Sequence, residues 1–182
     1  MRHPKLMAVA TAMLVVLCSA AAFGQEGAQL AVGDPAPEFS LMGTDGKTHT
    51  LSAMRGKNVV IAWFPKAFTS GCTAQCKSLK ESSDAIRAYD VAYFAASVDD
   101  AETNKKFAES LELDFPILSD PGKDVAKAYG VVTATRPVAH RWTFYISPDG
   151  KIAKIDKQID TANAGADTAK QLAAMNVPKK TM

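Results

Sequence analysis

The sequence predicts an α/β sandwich built on a mixed central sheet with an N-terminal β-hairpin, and three observations carry that expectation. Two continuous apolar runs, 58–64 and 91–98, have the β-rich pattern of strands buried on both faces. A stretch with helical spacing of apolar residues follows each, and strands separated by helices pair in parallel. Two Asp-Gly turns, Asp45-Gly46 and Asp149-Gly150, stand between short extended runs and mark antiparallel hairpins near either end of the domain.

The first residues are set apart from this pattern. Residues 1–24 carry Arg2 and Lys5, then an apolar run over 6–17, then small residues, which is the composition of a secretory signal peptide. The run is well short of the roughly 20 residues needed to cross a bilayer, so a permanent transmembrane helix is the weaker reading. Cleavage is expected after Gly24, with Ala22 as the other candidate, and Leu17 before Cys18 argues against a lipid anchor there. Residues 25–182 are then one domain, exported to the periplasm or secreted, with no membrane attachment after cleavage. Loss of Arg2 and Lys5 takes the formal net charge from +2 to zero, so the sequence pI near 8.4 is no argument for a nucleic-acid or anionic-membrane partner.

Along the domain, Gly33-Asp34-Pro35-Ala36-Pro37 forms a rigid lead-in that no helix traverses. Runs 38–41 and 47–51 flank the first turn as a small hairpin. Strand 58–64 follows, then a helix over 73–89, strand 91–98, a helix over 101–111 and an extended piece at 115–118. A helix over 123–129 is closed by Gly130. Strands 142–147 and 151–156 make the late hairpin, and a final amphipathic helix spans 165–175. This order makes a thioredoxin-like sandwich, with the turn after strand 58–64 at the sheet end where ligands bind in open α/β folds.

Two cysteines remain after export, Cys72 and Cys76, four residues apart at that turn. A bridge between them closes too short a loop to add much stability, which points to redox or metal chemistry rather than a structural staple. Cys72 falls in the first turn of the predicted helix, where unpaired backbone N–H groups and the helix dipole favour an anion. The thiolate is the nucleophilic form of cysteine, so the position suits nucleophilic catalysis without a cofactor.

The surrounding residues resemble the peroxiredoxins, whose signature is Pro, three residues, Thr, two residues, Cys, matched here by Pro65, Thr69 and Cys72. The run Phe64-Pro65-Lys66-Ala67-Phe68-Thr69-Ser70-Gly71-Cys72-Thr73 is most similar to the bacterioferritin comigratory or Q-type subgroup. The resemblance extends to Val32-Gly33-Asp34-Pro35-Ala36-Pro37-Glu38-Phe39, to Leu118-Ser119-Asp120-Pro121 and to Arg141-Trp142-Thr143-Phe144-Tyr145-Ile146, nearly the whole mature chain. It implies a thiol-dependent peroxidase acting on hydrogen peroxide and organic hydroperoxides, recycled by a thioredoxin-like or other dithiol reductant, and a monomer. It also implies roles: Cys72 attacks the peroxide, Thr69 presents its hydroxyl to thiolate and peroxide, Arg141 holds the thiolate and the developing charge, and Pro65 shields the site from water. Read singly, Thr69 is an ordinary helix cap and Arg141 an edge charge.

The chain departs from its relatives at two points. Their second cysteine commonly follows the first by five positions and here Cys76 follows by four, and Gln75 stands where many have Glu. Side chains four apart on a helix have Cβ atoms about 5–6 Å apart against the roughly 3.5–4.5 Å of a disulfide, so joining Cys72 to Cys76 requires the first turn to unwind. Either Cys76 resolves the oxidised Cys72 in this way, or it is packed and another thiol reduces Cys72. Trp63, Phe64, Phe68 and Trp142 crowd the same end of the sheet; core filling is the default reading for each, and any that reach the pocket would make it apolar. Two other functions compete. A thiol-disulfide oxidoreductase normally uses Cys-x-x-Cys, and exchange gives no reason for Thr69 and Arg141. A metal-binding module would have to recruit His49 or His140, and Arg141 beside His140 opposes a cation.

Overall fold

The computed structural model describes residues 30–180. The predicted leader at 1–24 and Cys18 lie outside the described residues. Seven strands, β1 (Ser40–Gly43), β2 (Thr48–Thr50), β3 (Asn58–Trp63), β4 (Val91–Ser97), β5 (Ile117–Ser119), β6 (Thr143–Ile146) and β7 (Ile152–Asp156), form one mixed sheet in the order β2-β1-β5-β4-β3-β6-β7. Among the described residues five α-helices accompany it: α1 (Ser70–Glu81), α2 (Ser83–Arg87), α3 (Ala101–Ser110), α4 (Asp124–Ala128) and α5 (Ala164–Ala174). Among the described residues no helix is long and apolar enough to cross a membrane.

The apolar run of β3 shows why the sheet is covered on both faces. All six of its residues are buried, and with a period of two they feed two cores. Val59, Ile61 and Trp63 join Phe94, Leu118, Tyr129 and Phe144 on the face covered by α4. Val60 and Ala62 join Leu79 of α1, Ile86 of α2, Phe107 of α3 and Leu172 of α5 on the other, together with both cysteines. The first hairpin is not an appendage, since β1 pairs antiparallel with β5 as well as with β2.

The predicted helix 73–89 is corrected. It begins three residues earlier, at Ser70, and is two helices broken at Ser82. The Ser83 hydroxyl is engaged outside the helix, donating to Asp114 Oδ1 at 2.8 Å and bonding Tyr93 Oη, and serine readily trades helical backbone for such bonds. The other elements fall within a few residues of their expected places. Gly130 ends α4 in the left-handed conformation, φ +68, and Val131 N–H returns to Ala126 O at 2.9 Å.

Strand pairing decides what meets what at the end of β3. That strand runs parallel to β4 and antiparallel to β6, with Ala62 opposite Thr143. Trp63 N–H donates to Trp142 O at 2.9 Å. The chain therefore leaves the sheet at Trp63 towards α1 where Arg141, two residues before β6, arrives from the other side.

Candidate active site

Between β3 and α1 the loop turns sharply. Ala67 N–H donates to Asp99 Oδ2 at 2.9 Å, which ties the loop to the end of β4. Phe68 adopts φ +62, a left-handed conformation that costs a bulky residue energy and persists only where its surroundings hold it. The residue is 58% exposed, and its ring meets Phe107 edge-on with centroids 5.1 Å apart. The expectation of core filling therefore fails for Phe68 and holds for Trp63 and Phe64, which are fully buried. Trp142 is partly buried against the first core. Pro65 is half-buried at the start of the loop.

Thr69 occupies the N-cap position of α1 with extended backbone, φ −92 and ψ 151, yet its side chain makes no capping bond. Its hydroxyl donates instead to Lys66 O at 2.9 Å, so the ordinary capping role does not explain it. Both oxygen lone pairs then remain available as acceptors.

Cys72 lies in the first turn of α1 and is buried. Arg141 is not an edge charge: its Nη2 donates to Cys72 Sγ at 3.4 Å, and its Nη1 to Gly71 O at 3.4 Å and to Gln75 Oε1. The guanidinium passes so close to Gly71 that a Cβ there would sit 3.1 Å from Nη2. A planar cation and a helix N-terminus thus converge on one sulfur, the arrangement that stabilises negative charge developing beside it. Gln75 is fully buried and its Nε2 has no hydrogen-bond partner.

Cys76 follows one turn later, also buried and unbonded to Cys72. Burial above all, reinforced by the Cys72 charge and opposed by Arg141, pushes its thiol up from 9.0 to about 12. Within the intact helix Cys76 is therefore a neutral thiol, and Cys72 is the residue placed to act as nucleophile. The raised value also has a consequence for stability. Below pH 9.0 the thiol is protonated in both folded and unfolded chains; between there and about pH 12 the unfolded chain gives up its proton first and unfolding gains. Urea titrations should show Cys76→Ser losing less stability than the parent over that interval, and an equal loss would remove the burden from Cys76.

The later part of α1 is anchored. Gly165 N–H, at the start of α5, donates to Ser78 Oγ at 3.0 Å, and a Cβ on Gly165 would lie 2.0 Å from the Ser78 carbonyl oxygen. Only glycine permits this approach. Gly165→Ala should cost about 1–3 kcal/mol by overpacking, read as a fall in Tm of about 2–4 °C per kcal/mol. An unchanged Tm would show that the helices can part freely.

The histidines needed by a metal site are engaged elsewhere. His49 Nε2 pairs with Asp45 at 3.1 Å in the first hairpin, and His140 stacks on Trp142 with centroids 4.9 Å apart. Among the described residues no three His, Cys, Asp or Glu side chains gather as a metal site. The structure brings Cys72, Cys76 and Arg141 together, with Pro65 and Thr69 on the adjoining loop. Sequence reading missed Asp99, for which no local signal exists, and the bond from Arg141 to Gln75.

A thioredoxin-like sandwich carrying an arginine-held cysteine at a helix N-terminus defines a thiol redox enzyme. Residues 32–155 match the AhpC/TSA family, and the chain belongs to it. Over 140 residues it is 35% identical to peroxiredoxin Bcp of Escherichia coli strain K12, spanning 74% of this chain and 90% of that protein. It is 37% identical over 112 residues to chloroplastic peroxiredoxin Q of Triticum aestivum, spanning 62% of this chain and 52% of that one. The crystal structure of peroxidoxin BcpB from Mycobacterium tuberculosis is similar with a TM-score of 0.72 at 25% identity, covering 81% of this chain and 99% of that one. Its activity is that of a thiol-dependent peroxidase, and its resemblance to the bacterioferritin comigratory and Q-type branch holds in both sequence and fold.

Proposed function

We propose that Cys72 reduces hydroperoxides and that Cys76 resolves the product within the same chain. The Cys72 thiolate attacks the distal oxygen, the O–O bond breaks, Cys72 becomes a sulfenic acid and the alkoxide or hydroxide leaves with a proton from solvent. The Cys76 thiol then condenses with the sulfenic acid, forming the disulfide and releasing water. A thioredoxin-like dithiol returns both sulfurs to thiols and is itself oxidised. Arg141 balances charge on the sulfur and on the leaving oxygen, Thr69 orients the peroxide through its hydroxyl, and Pro65 limits water at the mouth. The observation that carries this reading is the Arg141 donation to Cys72 Sγ one helical turn ahead of a second free cysteine.

Intact mass after one equivalent of hydrogen peroxide tests it. Loss of two hydrogens without a dimer supports resolution by Cys76, whereas a lasting gain of one oxygen or a disulfide-linked dimer rejects it. The same proposal places the protein outside the cytoplasm, supported by the leader composition of 1–24, and makes it a monomer, supported by its likeness to the Q-type branch. Protein recovered from the cytoplasm with Met1 intact would refute the export part.

A further inference from the structure

Arg141 grips the first turn of α1 at three points, and the third of them has no part in attacking a peroxide. Gly71 O and Cys72 Sγ are two; Gln75 Oε1 is the other. Gln75 lies between the two cysteines, inside the stretch that has to unwind before they can join. Its amide is fully buried, and while Oε1 holds the guanidinium, Nε2 has no partner at all. A buried donor left unpaired raises the energy of the closed helix and is satisfied by water as soon as the turn opens.

We propose that Gln75 is a redox-gated latch, a positioning residue that acts through Arg141 and sets how fast the first turn of α1 opens once Cys72 is oxidised. The proposal rests on Cys76 being the resolving cysteine. While Cys72 is a thiolate, Arg141 is held by a charge-assisted bond to sulfur as well as by the amide, and the turn stays closed. Conversion to sulfenic acid removes that charge. What remains is the long bond to Gly71 O and a neutral amide on the guanidinium, weaker than the buried ion pair a carboxylate at this position would make, and burdened by its own unpaired Nε2. The helix is therefore firm when a peroxide has to be met and loose when Cys76 has to be reached. A spacing of four residues makes this looseness necessary, because an intact helix keeps Cys72 and Cys76 apart.

Rapid mixing of the reduced protein with one equivalent of hydrogen peroxide, dione trapping at successive times and intact mass follow sulfenic acid and disulfide separately. Gln75→Glu should slow the conversion of sulfenic acid to disulfide by about tenfold or more, with more sulfinic acid at high peroxide. Gln75→Met, similar in volume and unable to hold Arg141, should convert at the parent rate or faster. Conversion by Gln75→Glu at the parent rate overturns the latch, as does equal slowing in both variants, which would make Gln75 a packing residue. Should Gln75→Glu not fold by circular dichroism, slower conversion in Gln75→Met alone overturns it. A parent protein that never forms the internal disulfide refutes the Cys76 reading itself, and the latch with it.

Discussion

Replacing Cys72 with serine should abolish peroxide consumption, while replacing Cys76 should leave the first turnover intact. Only Cys72 receives the Arg141 guanidinium and the amides of a helix N-terminus, and a serine hydroxyl there does not ionise to a comparable nucleophile. Burial holds Cys76 as a neutral thiol, and on the proposed mechanism it enters only after oxidation. In Cys76→Ser the sulfenic acid should persist, be captured by a dione reagent and pass to sulfinic acid at high peroxide. Recycling by a dithiol reductant should slow. Stopped-flow consumption of stoichiometric peroxide separates the variants: none for Cys72→Ser, one equivalent for Cys76→Ser. If Cys76→Ser equalled the parent in steady-state turnover and in resistance to over-oxidation, Cys72 would be recycled by an external thiol without an internal bridge.

Arg141→Lys should lower the rate constant for Cys72 oxidation by about 10²–10³ without unfolding the protein. Lysine keeps the charge but supplies one point of donation where the guanidinium spans Gly71 O, Cys72 Sγ and Gln75 Oε1 with a planar fork. The side chain is not a fold-bearing one, since it lies ahead of β6 rather than in either core. Pre-steady-state oxidation by hydrogen peroxide, with circular dichroism and Tm alongside, makes the measurement. A variant oxidised at the parent rate would return Arg141 to an ordinary surface role.

What could be read from the sequence and what could not divides by the range of the interactions. Pro65, Thr69 and Cys72 lie within one turn, where signature spacing and the chemistry of a helix N-terminus are local properties. The burial of β3 was legible because a strand covered on both faces has to be apolar throughout. Arg141 was reachable only through resemblance, as nothing near it in the chain announces that β6 pairs beside β3. The break at Ser82, the Asp99 tie on Ala67 and the closeness of Gly165 to Ser78 are tertiary bonds that leave no periodicity. Phe68 was misread for the same reason: its apolar side chain suits a core, but a left-handed backbone turns much of the ring outward. The mature terminus and the predicted leader concern residues outside 30–180.

The chain has two tryptophans, and both stand at this site. Trp63 closes β3 just before the active-site loop, and its N–H bonds the carbonyl of Trp142, which directly follows Arg141. Trp142 lies between unlike neighbours, stacked on His140 and with Lys157 Nζ 4.3 Å from its ring centroid. Indole emission depends on nearby charge and polarity, so release of Arg141 from α1 has an optical signature with no competing background from a distant tryptophan. The molecule carries its own reporter, and its intrinsic fluorescence should follow each turnover without a label.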